Sequence, residues 1–423
     1  MKKKILAALL GSAILISNTV WAAEQDVSLN TVLTEALAKN PTVLEAEKNW
    51  LVEQNKITPA KTLPNPKLGI MQDDIPAGTL DMGKGMMTTY SVSQEFMYPG
   101  KLSLMGKMAQ NNADMSRSEY VEKKLQVYME AKQAYYDALY AGKALIIERE
   151  NQQLMGQLVQ IAQVNYATGM VPLQDALKAQ TEYSTMTTEL LDMAAMESVA
   201  KSKINVLMGR NPNTPIQVSE DFPAPPPNFD LDELQARAIA EKPALQGMLY
   251  KVEMAKNGVD LAKKQKKPDF ALEFKYNDKK PAGMGESENT WSIELMTMLP
   301  VWGGKNRAEV KGAQAGLESA QASYEAMKNM TGLDVQMALT KAQSAWRQID
   351  LYQKNIIPQA EQTYQASLVS YTNGKVDVMT VLENLRTLRS AKLAQYKARI
   401  DYEMALAELE KAVGKPLFSG ISL

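Results

Sequence analysis

The sequence predicts a mainly α-helical protein with a small membrane β part, in which one structural plan occurs twice. Three observations lead to this fold class. Residues 101–168 contain no proline, and a helix of that span is roughly 100 Å long at 1.5 Å of rise per residue. Two short regions alternate strictly between apolar and polar residues, which is typical of amphipathic strands. Landmarks of the first half recur 202 to 205 residues later, which indicates an internal duplication.

The chain begins with a segment typical of a secretory signal peptide. Residues 2–4 are lysines, residues 5–16 form an apolar run, and a small residue precedes a polar stretch. We predict cleavage after Ala22, which makes residues 1–22 the signal peptide. This run is too short to cross a bilayer, and no other stretch approaches eighteen apolar residues. Helical membrane spans are therefore not expected.

The first repeat is predicted to cover residues 23–210. It opens with a helical pattern that is interrupted at Asn40-Pro41, since proline lacks the amide that continues a helix. A strand hairpin, a very long helix, a tight glycine turn and a return helix follow. The predicted bounds are 66–98 for the hairpin, 101–168 for the long helix and 172–208 for the return helix.

The long helix carries a narrow apolar stripe with lysine, glutamate, glutamine and asparagine between its members. A narrow stripe indicates packing along seams between rods, not around a globular core. Taken alone it favours a long coiled coil with a mechanical role. The predicted members are Leu125, Tyr128, Tyr135, Leu139, Ile146, Leu154, Leu158 and Ile161.

The second repeat is predicted to cover residues 229–415, after a proline-rich crossing segment at 211–228 and before a tail at 416–423. One difference from the first repeat is Pro358, which is expected to break the long helix after Ile357 and to begin a new helix. The predicted bounds are 268–299 for the hairpin, 305–372 for the long helix and 376–412 for the return helix.

The composition argues against an enzyme. The chain has no cysteine and no histidine, so the usual nucleophile–base pairs and the commonest transition-metal ligands are missing. We predict no catalytic residue, no cofactor and no resident metal site. The formal charge is −1, or −4 once the three signal lysines are removed, so nothing indicates binding to nucleic acid.

The strand count has a consequence for assembly. A small barrel needs about eight strands, so four strands cannot close one. Unpaired strand edges are forbidden in lipid, and several copies are therefore expected to share one sheet. The long helices would continue the wall of this sheet, which makes the expected object a tube.

Several stretches resemble the TolC-type outer-membrane efflux channel family. They are residues 94–101 (Gln-Glu-Phe-Met-Tyr-Pro-Gly-Lys), residues 357–382, and the two Tyr-x-x-Gly turns at Tyr166 and Tyr371. The resemblance implies a homotrimer with a shared twelve-strand β-barrel in the outer membrane, a long periplasmic α-helical barrel and a pore. It also implies three further partners: a periplasmic adaptor (membrane fusion) protein, an inner-membrane pump of the RND type, and outer-membrane lipid.

Two sites follow from the resemblance. The turns Gly169-Met170-Val171 and Gly374-Lys375-Val376 resemble the periplasmic tips that contact the adaptor; without the family match they are simply two helical hairpin turns. Asp377, Thr380 and Glu383 lie at the spacing i, i+3, i+6 and resemble a pore constriction. Three-fold symmetry would make each a ring, and carboxylate rings attract cations. Relatives often carry two acidic rings, whereas Thr380 stands at one of them here. A solvated helix face is the alternative for Asp377.

The sequence leaves the cargo open. The chain has 26 methionines, and Met82, Met86 and Met87 cluster in the first hairpin loop. Thioethers suit Cu(I) and similar ions, although packing is the more general role of methionine. The stretch around Phe96 resembles the heavy-metal branch of the family, so export of heavy-metal ions is expected. The alternatives are a drug duct, a protein-secretion duct and, in another class, a periplasmic coiled-coil scaffold or adaptor. Lysines within 263–267 are either lipid-phosphate contacts or a solvated helix end.

Overall fold

The structure is a computed structural model that describes residues 25–78, 81–220, 222, 229–280 and 288–417. The predicted signal peptide lies outside the described residues. The same holds for residues 221 and 223–228 of the crossing segment and for residues 418–423 of the tail.

The first half consists of short helices, a strand hairpin and one long helical hairpin. Its elements are β1 (Gln25–Val27), α1 (Leu29–Lys39), α2 (Pro41–Asn55), α3 (Ile57–Ala60), β2 (Lys67–Asp73), β3 (Met87–Phe96), α4 (Lys101–Ala167), α5 (Leu173–Leu207) and β4 (Ile216–Val218). A 3₁₀ turn, Met82–Lys84, lies between β2 and β3. Strand β4 belongs to the crossing segment and pairs in parallel with β1.

The second half repeats this plan. Its elements are α6 (Leu231–Glu241), α7 (Pro243–Lys264), β5 (Asp269–Lys279), β6 (Thr290–Met298), α8 (Gly303–Leu351), α9 (Ile357–Thr372) and α10 (Val378–Val413). A π-helical segment, Tyr352–Ile356, joins α8 to α9. A new helix, α9, does begin at Ile357, as expected; the difference from the expectation is that α8 ends earlier, at Leu351, and that the chain stays helical across the π-helical segment. Pro358 lies in the first turn of α9, where no intrahelical amide bond is lost.

The helix starts follow from local capping. The Asn40 side chain accepts a hydrogen bond from the amide of Thr42 at 2.9 Å, and Pro41 occupies the first turn of α2. The Asp230 carboxylate caps α6 in the same way, accepting from the amide of Asp232 at 2.8 Å. Each cap provides an acceptor for an amide that has no partner within the helix.

Strands β2, β3, β5 and β6 form one antiparallel sheet in that order. In the central rows the register keeps side chains of one character together, so one face is largely apolar and the other largely polar. One row contains Leu68, Val92, Phe274 and Ile293, and the next contains Gly69, Ser91, Lys275 and Ser292. The apolar side chains are exposed, with Leu68 at 82%. The strands number 7, 10, 11 and 9 residues, so β2 is shorter than the expected length of about ten.

The polar face carries ion pairs between neighbouring strands. The Lys67 ammonium lies 2.5 Å from a carboxylate oxygen of Glu95. The Lys275 ammonium lies 2.7 Å from Glu294 of β6 and 3.4 Å from Glu273 of its own strand, β5. The outer edges of β2 and β6 pair with no strand within the described residues.

A buried lysine joins the sheet to the long helix. Lys101, the first residue of α4, is 2% exposed, and its ammonium lies 2.9 Å from each carboxylate oxygen of Asp269 at the start of β5. The same ammonium donates to the carbonyl of Lys267 at 3.1 Å. These contacts compensate the cost of burying the charge.

The helices pack as rods. Helix α4 contacts α5, α7 and α10, and α8 contacts α7 and α10. The buried seam of α4 includes most of the predicted stripe, but Ile146 is 47% exposed and was wrongly assigned to it. Alanines occupy much of the seam instead: Ala131, Ala134, Ala138, Ala141 and Ala144 are buried. No helix in the described residues combines the length and the apolarity that a membrane crossing requires.

Candidate functional site

The hairpin of α4 and α5 ends in a glycine turn. The amide of Gly169 donates to the carbonyl of Tyr166 at 3.0 Å, and the amide of Met170 donates to that of Asn165 at 2.8 Å. This pair of bonds is the Schellman motif, which requires a left-handed residue after the helix. Gly169 provides it with a φ of 75°.

The second turn, between α9 and α10, has the same geometry. The amide of Gly374 donates to the carbonyl of Tyr371 at 3.0 Å, and the amide of Lys375 donates to that of Ser370 at 2.9 Å. Gly374 has a φ of 67°. The helical hairpins of both repeats therefore turn through the same Schellman motif.

The structure brings the two turns together. The side-chain amide of Asn165 donates to the carbonyl of Tyr371 at 3.4 Å, and both residues are buried. Val171 and Val376 pack against one shared cluster of apolar side chains. Met170 is 63% exposed, and Lys375 is also exposed. A Cβ placed on Gly169 or Gly374 would meet no atom within 4 Å, so the two turns present open backbone to their surroundings.

Asp377 begins the helix that follows the second turn. Its carboxylate accepts hydrogen bonds from the amide of Thr380 at 2.9 Å and from the hydroxyl of Thr380 at 2.7 Å. Asp377 is therefore the N-cap of α10. The hydrogen bonds from the Thr380 hydroxyl and amide lower the pKa of Asp377 below its ordinary value, because they stabilise the charged form.

Asp377, Thr380 and Glu383 share an exposed face of α10. All three are exposed, whereas the neighbouring Val378 and Val381 are buried. The spacing predicted from the sequence therefore places them on one side of the helix. The exposed side of α10 therefore carries the two carboxylates, of Asp377 and Glu383, and the Thr380 hydroxyl, on the side away from the buried Val378 and Val381.

Two arginines, about one and two turns further along α10 than Glu383, were missed by the sequence analysis. Arg386 forms a two-pronged pair with Glu182 of α5, with N–O distances of 2.8 and 2.5 Å. Arg389 lies between Glu148 of α4, at 2.7 Å, and Glu189 of α5, at 2.6 Å. Their i, i+3 spacing beside the apolar stripe of α10 was the available signal, but it does not identify the acidic partners.

Glu148 is the buried member of this group. Its side chain is fully buried, and burial raises the pKa of its carboxyl although Arg389 opposes the shift. One of its carboxylate oxygens has no hydrogen-bond partner in the described structure. These ion pairs thus connect α10 to both α4 and α5 at a partly buried helix interface.

Within the described residues, no three acidic side chains lie close enough together to bind a metal ion. The predicted methionine cluster lies in the β2–β3 connection, with Met82 at 67% and Met86 at 37% exposure. Met87 begins β3.

The fold and these turns define a class of protein: a duplicated chain in which an exposed amphipathic sheet is continued by long helical hairpins with paired glycine tips. The family model described as "Outer membrane efflux protein" matches residues 32–210 and 234–415, which are the two halves of the structure. The chain belongs to this family of TolC-type channels. It is a channel of the outer membrane with a helical periplasmic extension, and such channels are transport ducts, not enzymes.

Individual relatives match almost the whole chain. CzcC, the cobalt-zinc-cadmium resistance protein of Cupriavidus metallidurans, is 19% identical over 386 residues, which cover 91% of this chain and 88% of CzcC. TolC of Vibrio cholerae is 19% identical over 428 residues, which cover 97% of this chain and 95% of TolC. A crystal structure of CusC superposes with a TM-score of 0.78 at 17% identity and covers 92% of each chain. That likeness shows the fold alone.

These findings confirm the predicted family, fold class and outer-membrane location. They also confirm that the chain is a transport protein and not an enzyme. The alternative of a periplasmic coiled-coil scaffold or adaptor does not fit membership of this family.

Proposed function

We propose that this protein is the passive exit duct of a tripartite export system and that it works as a homotrimer. The open four-stranded sheet carries the proposal, because β2 and β6 have unpaired outer edges beside an exposed apolar face. Backbone groups in lipid need partners, and β6 of one copy can provide them to β2 of the next. Three copies supply twelve strands, more than the roughly eight of a small barrel, so a wider lumen results.

Cysteine cross-linking tests the shared sheet. The chain has no native cysteine, so engineered thiols are the only ones present. Ser292→Cys in β6 is combined in turn with Lys67→Cys, Gly69→Cys and Met71→Cys in β2, all on the polar face. We expect one combination to give a covalent trimer ladder upon oxidation.

The matched control places both cysteines inside one protomer. Ser91→Cys and Lys275→Cys are direct neighbours on β3 and β5, so this variant should form only an internal bond. If the control forms its internal disulfide but no β2–β6 combination gives a covalent trimer, the shared sheet is contradicted.

The paired glycine turns are proposed as the contact for a periplasmic adaptor, which in turn joins an inner-membrane pump of the RND type. Their support is the open backbone at Gly169 and Gly374 beside the exposed Met170 and Lys375. Gly374→Glu adds a charged side chain into open space, so it should abolish export while the trimer remains assembled. Gly374→Asn is the control, because asparagine tolerates the left-handed conformation. If Gly374→Glu lost the trimer, its export defect could not be assigned to the adaptor contact.

We propose heavy-metal ions as the cargo class. The support is the similarity to CzcC, whose name records cobalt, zinc and cadmium resistance, and the exposed methionines of the β2–β3 connection. The test is growth of a deletion strain on copper, silver, zinc, cobalt and cadmium salts beside dyes, detergents and antibiotics. Sensitivity confined to metals is expected. Sensitivity confined to organic compounds would make the protein a drug duct, and a secretion defect alone would make it a protein-secretion duct.

A further inference from the structure

The apolar face of the sheet ends, on the side of the helices, in aromatic residues followed by lysines. Phe96 and Phe270 are direct partners on β3 and β5 and are 41% and 38% exposed. Tyr98 lies two residues after Phe96, in the short connection between β3 and α4. Aromatic side chains at the boundary of an apolar band are typical of a membrane–water interface.

A group of lysines lies directly beside these aromatic residues. The ammonium of Lys264, in the last turn of α7, lies 5.8 Å from the ring centroid of Tyr98 and donates to the carbonyl of Pro99 at 3.2 Å. Lys266 and Lys267 follow in the turn before β5 and are exposed. Neither of these two ammonium groups makes an ion pair or hydrogen bond with another residue that the structure describes.

We propose that Lys264, Lys266 and Lys267, with Tyr98, bind the headgroup of an anionic phospholipid in the periplasmic leaflet of the outer membrane. The Phe96–Phe270 pair would contact the first carbons of its acyl chains. Two observations favour an anionic phospholipid as the ligand. The lysines continue an exposed apolar face, so the ligand must have an apolar part, and their unneutralised charge requires an anion. The outer-membrane location of the channel places a phospholipid leaflet at this boundary.

The site also has a physical purpose. Lys101 is held by Asp269 and by the carbonyl of Lys267, so the turn that carries the lysines is rigidly attached to the sheet and to α4. A headgroup bound here fixes the depth of the sheet in the membrane, and it therefore fixes the height at which the helices project into the periplasm. Lipid binding at this site therefore sets the position of the duct relative to the membrane.

Native mass spectrometry of the detergent-purified trimer tests the proposal. The wild type and the Lys266→Gln/Lys267→Gln variant are mixed with dioleoyl-phosphatidylglycerol or with dioleoyl-phosphatidylcholine. We expect the wild type to retain the anionic lipid preferentially. Each lysine near a membrane contributes about five-fold in affinity, so the double variant should retain it about 25-fold less well.

The matched control removes two charges from α7, the helix that precedes this turn, at a distance from the site. Lys251→Gln/Lys256→Gln alters α7 about two to four helical turns before Lys264, and Lys251 lies roughly 20 Å from Lys264 at 1.5 Å of rise per residue. This control should behave as the wild type. Equal retention of both lipids by the wild type, or unchanged retention by the Lys266/Lys267 variant, would overturn the proposal. The same spectra report the trimer mass, so failure of trimer assembly is distinguished from failure of lipid binding.

Discussion

Asp377 has two roles that substitutions can separate, namely capping of α10 and presentation of a charge. Asp377→Ala removes the acceptor for the Thr380 amide, which should destabilise the first turn of α10 by about 1 kcal/mol. Asp377→Asn keeps an acceptor and should leave this turn intact. Hydrogen exchange of the Thr380 amide measures the difference, with about five-fold faster exchange expected in the alanine variant. Equally fast exchange in both variants would show that the carboxylate charge, and not the cap, stabilises the turn.

Glu403 makes stability depend on pH. Burial raises the pKa of its carboxyl to about 7 from an ordinary value of 4.5, against the attraction of Arg399 and a hydrogen bond from the Tyr136 hydroxyl. Between these two values the folded protein binds more protons than the unfolded chain. The free energy of unfolding contributed by this group therefore falls as pH rises through that window. Lys132 and Glu410 also act on this carboxyl, so a single substitution is needed to isolate it.

The prediction for Glu403 concerns a difference between two proteins. The melting temperature of the wild-type trimer should fall more between pH 5 and pH 7.5 than that of Glu403→Gln, because glutamine does not titrate. Glu408→Gln, a half-exposed glutamate on the same helix that pairs with Lys341 of α8, should keep the wild-type dependence. Parallel curves for the wild type and Glu403→Gln would show that Glu403 does not titrate in this window.

At the scale of elements, charged pairs hold α10 against the first hairpin. The Arg386–Glu182 pair joins two helices that carry few other mutual contacts, and its two-pronged geometry favours one relative position. An exposed pair contributes up to about 1 kcal/mol per protomer, and in the proposed trimer three such pairs would act on one pore. Arg386→Gln should therefore loosen α10 and raise the single-channel conductance in planar bilayers.

Two further variants control this prediction. The exchange Arg386→Glu/Glu182→Arg restores the pair with opposite polarity and should return the conductance towards the wild-type value. Lys397→Gln removes an ion pair with Asp401 within α10 and should have no effect, because no second helix is involved. An unchanged conductance in Arg386→Gln would mean that this pair does not set the position of α10.

The element types were largely predictable, since they depend on local periodicity and chain breaks. The strands, the long helices and the glycine turns all carry such signals. The path through Pro358 was not predictable in detail, because a proline in a first helical turn allows either a new helix or a π-helical insertion before it. The alanines of the α4 seam were also missed, because small side chains mark a seam only where another helix approaches closely.

At the scale of the whole molecule, three-fold symmetry would turn Asp377 and Glu383 into two acidic rings. The Asp377→Asn/Glu383→Gln variant removes six charges from the trimer and leaves the helix cap in place. Its permeability ratio of cations to anions should fall towards one, which reversal potentials in a salt gradient measure. Glu325→Gln/Asp350→Asn removes as many charges from α8 and should keep the wild-type ratio. An unchanged cation preference in the Asp377/Glu383 variant would contradict the ring assignment.

The amino-acid sequence was sufficient for the duplication, the amphipathic sheet, the rods and the family, because each is encoded in residues that are near neighbours along the chain. The tertiary structure was needed for the partners of the buried charges. Glu148 and Arg389 are 241 residues apart, and Lys132 lies 2.5 Å from Glu410 across 278 residues. Local patterns cannot specify such pairs, since they depend on which faces of α4 and α10 meet. That choice is made by the packing of whole helices, which places each charge opposite its partner.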